Sequence, residues 1–113
     1  MLISVRPRIV KELELADGKR PFARWFERLR DVHAKAAIRV RIAKIEVEGH
    51  LGNYRVLGDS VFELKFTQGP GYRVYFGLDG DEIVLLILGG DKGSQDRDIK
   101  KAKSLWTEYL TRK

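Results

Sequence analysis

The 113-residue sequence has no cysteine. That excludes disulfide scaffolds, zinc fingers, iron–sulfur clusters and thiol nucleophiles. Histidine is scarce: His33 and His50 are the only two, so a histidine-based metal site is not expected, and no cofactor is called for. No apolar run approaches the ~18 residues of a membrane span. The opening MLISVRPRIVKELEL alternates charges and lacks an apolar segment with a small-residue cleavage site. A soluble, cytoplasmic protein without a membrane segment is the expectation. Repeats and low-complexity linkers are also missing.

What remains is 43% hydrophobic and 10% aromatic residues, enough for one packed core and too much for a disordered chain. The length suits one domain, taken as residues 1–113. Lysine and arginine number 22 against 16 acids, a net +6 with pI about 9.7. Such a balance biases the chain towards polyanions or an acidic partner.

Breaker residues divide the chain. Residues 9–16 alternate as a strand, and Asp17-Gly18 turns it. Pro21 suits a first helical turn, and Phe22, Trp25, Phe26 and Leu29 come after it at helical spacing. A second helix is predicted from about His33 to Glu48. It has one stripe of Ala34, Ile38, Ile42 and Ile45 and another of Ala36, Val40, Ala43 and Val47. A helix apolar on two sides is sandwiched in the fold or covered by a partner, and sandwiching is the expectation. Strands are predicted at 54–57, 61–66, 72–76 and 82–88, the last apolar enough to be covered on both faces. Gly69-Pro70-Gly71-Tyr72 fits a type II turn, and Asp79-Gly80 a tight hairpin. Gly89 to Gly93 ends the last strand, and Ser94 caps a final helix with Ile99, Ala102, Leu105, Trp106 and Tyr109 on one side. The order argues an α+β fold with helices on one face of an antiparallel sheet.

Residues 19–44 hold nine Lys/Arg against Glu27 and Asp31, whereas residues 78–91 hold four acids and no base. Arg24, Arg28, Arg39 and Arg41 on the helix pair are thus candidates for contacting a phosphate backbone, although helical cations commonly just solvate an outer face. On the sheet, alternation puts Glu63, Lys65, Arg73 and Tyr75 on the face away from the helices. The loop carrying Lys92 leads into a helix N-terminus. Lys65, Arg73 and Lys92 can converge there on a phosphate. RNA supplies its own nucleophile, the 2′-OH, so a protein need only position the strand, neutralise charge and move protons. Arg73 is the natural clamp, Lys65 or Lys92 stabilises charge or transfers a proton, and Tyr75 donates a proton or stacks a base. Exposed sheet faces also carry such residues as plain cross-strand pairs.

The stretches DGKRPFARWFERLRD (17–31), GNYRVLGDSVFELKF (52–66), GPGYRVYFG (69–77) and LLILGGDKGSQDRDIKKAKSLW (85–106) carry a resemblance to the RelE/ParE toxin superfamily. Within it the chain resembles the HigB-like, phage-derived addiction module killer proteins. The resemblance implies a RelE-like fold, with two N-terminal helices packed on an antiparallel sheet and a C-terminal helix. It also implies the toxin of a type II toxin–antitoxin module, held in a hetero-oligomer by a cognate antitoxin, often a helix-turn-helix DNA-binding protein. Members similar to RelE are endoribonucleases, mRNA interferases that cut mRNA on the ribosome, and ParE-like members inhibit DNA gyrase. An inactive relic that only binds antitoxin is a third reading. Arg73 matches the active-site arginine of the family's Gly-Tyr-Arg strand, Lys65 a lysine on the preceding strand, and Lys92 lies near the basic residue after the last strand. Two departures stand out: Glu63 occupies the place of a second lysine, and Tyr109 sits in an apolar stripe, far along from the position of the family's C-terminal tyrosine.

Overall fold

The structure, a computed structural model, describes residues 6–113. Residues 1–5 of the expected domain, and with them the start of the stretch read for a secretion signal, lie outside the described residues. Five strands and three helices run in the order β1 (Ile9–Glu12), α1 (Pro21–Arg28), α2 (Val32–Glu48), β2 (Tyr54–Gly58), β3 (Val61–Lys65), β4 (Tyr72–Asp79), β5 (Ile83–Asp91), a 3-10 turn (Lys92–Ser94) and α3 (Gln95–Arg112). The fold is α+β, with spatial strand order β1-β5-β4-β3-β2.

The sheet is mixed, which corrects the antiparallel expectation. β2 to β5 form an antiparallel meander, but β1 pairs parallel with β5, Ile9 opposite Ile83 and Glu12 opposite Leu86. Parallel neighbours need a long crossover, and here α1, α2 and β2 to β4 lie between the two strands in the chain. The first strand is shorter than residues 9–16. Leu13 N–H still donates to the Leu86 carbonyl, but from Leu15 the chain is in a turn, with Leu15 N–H on the Lys19 carbonyl and Gly18 in the left-handed region.

Pro21 opens α1, and its Phe22, Trp25, Phe26 and Leu29 stripe packs on the sheet as read from the spacing. Asp31 caps α2 by accepting from Ala34 N–H at 3.0 Å, and Gly49 ends it in the left-handed conformation. Ala34, Ile38 and Ile45 are buried, the two isoleucines against Phe62, Leu64, Val74 and Phe76. The second stripe of α2 is not sandwiched: Val40 and Val47 are 57% and 70% exposed. The segment before β1 touches only the end of α2, where Arg8 N–H donates to the Glu46 carbonyl, and α3 lies elsewhere, so this stripe stays bare.

α3 covers the opposite face of the sheet, so the helices do not share one face. Ala102 and Trp106 are buried against Val61, Tyr75, Leu85 and Ile87. The cause is legible in the strands: Val61 alternates with Phe62, Tyr75 with Phe76 and Ile87 with Leu86, so both faces are apolar and both need cover. β5 also runs through Gly89 and Gly90 instead of ending before them. A Cβ at Gly89 would lie 2.0 Å from the Trp25 ring, and one at Gly90 2.0 Å from Asp98 Oδ2. The glycines continue the strand because side chains from α1 and α3 occupy the space theirs would fill. Ser94 makes no capping bond to α3. Asp91 is the capping side chain, accepting from Gly93 and Ser94 N–H, while Ser94 Oγ donates to Asp98.

Candidate active site

Register brings the chosen residues together. Lys65 is directly opposite Arg73, and Glu63 opposite Tyr75. Lys92 joins them across the end of the sheet: a Cβ added at Gly71 would meet Arg73 Nη1 at 3.4 Å and Lys92 Cβ at 3.5 Å. Lys65 is half-buried and Lys92 exposed.

The face they share is not an open sheet surface, because α3 roofs it. Glu63 and Tyr75 are wholly buried, and the Arg73 side chain is 12% exposed. Arg73 Nη1 donates to the carbonyls of Gly71 and Tyr72 at 3.1 Å and of Phe66 at 3.5 Å, pinning the guanidinium to the β3–β4 connection. Nε is buried 3.9 Å from Glu63 Oε1. Nη2 makes no hydrogen bond among the described residues and is not buried. One edge of the fork is thus structural and one corner is open.

Glu63 anchors a polar cluster under the N-terminal end of α3. Gln95 Nε2 donates to its Oε2 at 2.8 Å, and Arg55 Nε lies 3.4 Å from its Oε1. Gln95 and Arg55 were not singled out by sequence reasoning. The strand alternation that selected Glu63 also points Arg55 at it, since the two are register partners; for Gln95 no sequence signal existed. The Tyr75 hydroxyl is buried beside this cluster, facing Glu63 without a hydrogen bond of ordinary geometry. Burial first, then the charges of Glu63 and Asp98, push its pKa far above the ordinary 10.0. The expectation that Tyr75 stacks a base or reaches substrate from an exposed face is therefore corrected: its ring belongs to the core beneath α3. Tyr109 is engaged elsewhere, its hydroxyl 2.9 Å from Asp79 Oδ2.

The helix cations separate into two kinds. Arg41 is a clamp, half-buried, with Nη2 on the Lys65 carbonyl at 3.0 Å, Nη1 on the Leu51 carbonyl at 3.3 Å and its plane 4.4 Å from the Phe66 ring. Burial lowers its pKa. This corrects its assignment as a free backbone contact: the fork is spent on the loop before β2 and on the end of β3. Arg24, Arg28 and Arg39 are exposed, Arg39 resting over Phe26 at 5.0 Å. Arg24 and Arg28 line a cleft of about 650 Å³ that Lys19, Arg97 and Lys101 also border, with Trp25 and Leu88 among its walls. Five cations from the turn after β1, from α1 and from α3 thus meet against two acids, Asp17 and Asp98. The cleft reaches Gly89, and Arg73 is the register partner of the next residue, Gly90. Among the described residues no three His, Asp or Glu side chains cluster so as to hold a metal ion, and no helix is long and apolar enough to cross a membrane.

No known family profile matches the chain, and no solved structure matches it. An uncharacterized protein of Haemophilus influenzae is 41% identical over 87 residues, which cover 77% of this chain and 87% of that protein.

Proposed function

This chain belongs to one family with that Haemophilus influenzae protein, and we propose that it is the toxin of a type II toxin–antitoxin module with a RelE-like fold. It acts in the cytoplasm as a metal-independent endoribonuclease on ribosome-bound mRNA. The observation that carries this reading is the direct pairing of Lys65 with Arg73, with the open Nη2 corner of Arg73 and the stem of Lys92 beside the same glycine. In the reaction the 2′-oxygen of one nucleotide attacks its own 3′-phosphorus. The new O–P bond closes a cyclic phosphate and the P–O5′ bond breaks, while the 2′-OH proton is lost and the leaving oxygen gains one. Arg73 Nη2 grips a non-bridging oxygen where negative charge develops, and Lys65 and Lys92 neutralise the remainder. The cation-lined cleft guides the flanking strand by its phosphates. A cognate antitoxin, of helix-turn-helix type, covers these cations in the inactive complex, and co-purification with the product of the adjacent gene tests that.

Arg73→Lys keeps a charge but loses the fork. It is expected to cut mRNA about 100-fold more slowly in a translation extract, as loss of one oriented donor does. Growth arrest and cleavage at the unsubstituted rate by a folded Arg73→Lys protein would overturn the site. A relic that only binds antitoxin is a second reading, favoured by two observations: Nη1 of Arg73 is committed to three carbonyls, and Glu63 is buried where the resembled pattern has a lysine. Inducing the chain alone in cells separates the two, because normal growth fits only the relic.

A further inference from the structure

The fold uses one of the two apolar stripes on α2 and leaves the other bare. Ala36, Val40, Ala43 and Val47 are all exposed, and no element of the described chain covers them. Their spacing of four, three and four is that of a heptad seam, with Ala36 and Ala43 at d and Val40 and Val47 at a. The positions just before the two valines, the g sites, hold opposite charges, Arg39 and Glu46. Both are exposed, and Glu46 forms no ion pair among the described residues.

We propose that this stripe docks a second copy of the same chain, α2 against α2, antiparallel about a two-fold axis between Arg41 and Ile42. That register sets Val40 on Ala43 of the second copy and Ala36 on Val47 of the second copy. Each layer then holds one large and one small side chain, so the helices interlock without overpacking and approach closely. The same register brings Arg39 beside Glu46 of the second copy, and the symmetry repeats the pair on the other half. Core layers and flanking charges therefore agree on one self-complementary alignment, as an isologous interface requires. An unrelated partner helix would not need α2 to complement itself in this way. The opposed helix dipoles add to the fit. The seam spans only about 18 Å of helix and falls below the roughly 800 Å² per partner of a standard interface. The dimer is accordingly weak and concentration-dependent.

Sedimentation equilibrium of the purified chain tests this. The mass is expected to rise from 13.0 kDa towards twice that value as concentration climbs through the micromolar range. Val40→Glu, at an exposed site, is expected to weaken association about tenfold or more. Glu46→Arg weakens it too, and Arg39→Glu combined with Glu46→Arg restores it. Because the chain has no cysteine, Val40→Cys mixed with Ala43→Cys is expected to form disulfide dimers that neither variant forms alone. A monomer at all accessible concentrations overturns the proposal and leaves the stripe to a different partner. A dimer indifferent to Val40→Glu overturns it equally, since the contact would then lie elsewhere.

Discussion

Arg73 holds the fold and presents a donor at once, so its removal carries a stability cost that must be separated from lost chemistry. In Arg73→Ala three carbonyl contacts vanish, two at 3.1 Å and one at 3.5 Å, all from the single nitrogen Nη1. One nitrogen has two protons, so they amount to about two bonds from a charged donor, each worth roughly 1.5–3 kcal/mol net. Glu63 also loses a cation 3.9 Å away, although Arg55 at 3.4 Å and Gln95 at 2.8 Å remain. The expected loss is about 3–5 kcal/mol, measured by urea denaturation, and a fall in Tm of more than ~10 °C for a domain of this size. Part of that cost is the stranding of a buried carboxylate. Glu63→Gln removes the charge, so Arg73→Ala should cost about 1–2 kcal/mol less in the Glu63→Gln background. A loss below ~0.5 kcal/mol, which is ordinary surface behaviour, would refute the clamp. A cycle with no coupling would refute the pairing with Glu63 while leaving the carbonyl contacts standing. Any activity lost by Arg73→Ala counts against chemistry only after correction for the folded fraction.

Features governed by local periodicity are legible in the sequence. The α1 stripe, the limits of α2 to within one residue, the Lys65–Arg73 juxtaposition and the buried run in β5 are all set by spacing and glycine placement, and the structure has them. Features that depend on where distant segments dock are not legible in this way. The apolar side of α3 fits either face of the sheet, and long-range packing decides which: Trp106 seats against Gly77 and Asp98 against Gly90 on the face that α1 and α2 leave free. That one docking buries Tyr75 and Glu63 and converts an expected open surface into a roofed cluster. The parallel partner of β1 is hidden for the same reason, since alternation says which side chains share a face and nothing about which strand lies alongside. Gly89 and Gly90 read as a strand terminator because the rings and carboxylates filling their missing side chains come from Trp25 and Asp98, remote in sequence from one glycine and across a turn from the other. Arg41 is indistinguishable from any other helical cation until the carbonyls of Leu51 and Lys65 are brought to it.

The remaining tests bear on α3 and its roofed face. Gly77→Ala should cost about 1–3 kcal/mol by overpacking, since its Cβ would sit 2.5 Å from the Trp106 ring; a neutral effect on urea unfolding would show that α3 is not fixed there. At the far end of α3, hydrogen bonding from Lys113 foremost, then from Tyr109, holds the Asp79 carboxyl below its ordinary 3.8. A depressed carboxylate pKa contributes stability that is present above the unfolded value and lost as pH falls through the folded one. Stability should therefore drop below about pH 4, and Asp79→Asn should flatten that limb; an unchanged acid profile would contradict the contact. Tyr75 gives the sharpest test of what is structural. Its hydroxyl is buried without a hydrogen bond of ordinary geometry, and Glu63, the acceptor it faces, keeps Gln95 and Arg55, so deleting it strands little and removes a desolvated polar group. Tyr75→Phe is thus expected to be neutral or stabilising at pH 7, by up to ~1 kcal/mol. Its raised pKa leaves stability unaffected below 10.0 and lowers it above, because the unfolded phenol ionises first and draws the equilibrium towards unfolding. Tyr75→Phe should accordingly unfold less steeply at alkaline pH than the parent chain. Since a ring sealed beneath α3 cannot touch RNA, the variant should also arrest growth as the parent does, and loss of arrest with stability intact would show that α3 lifts to admit substrate.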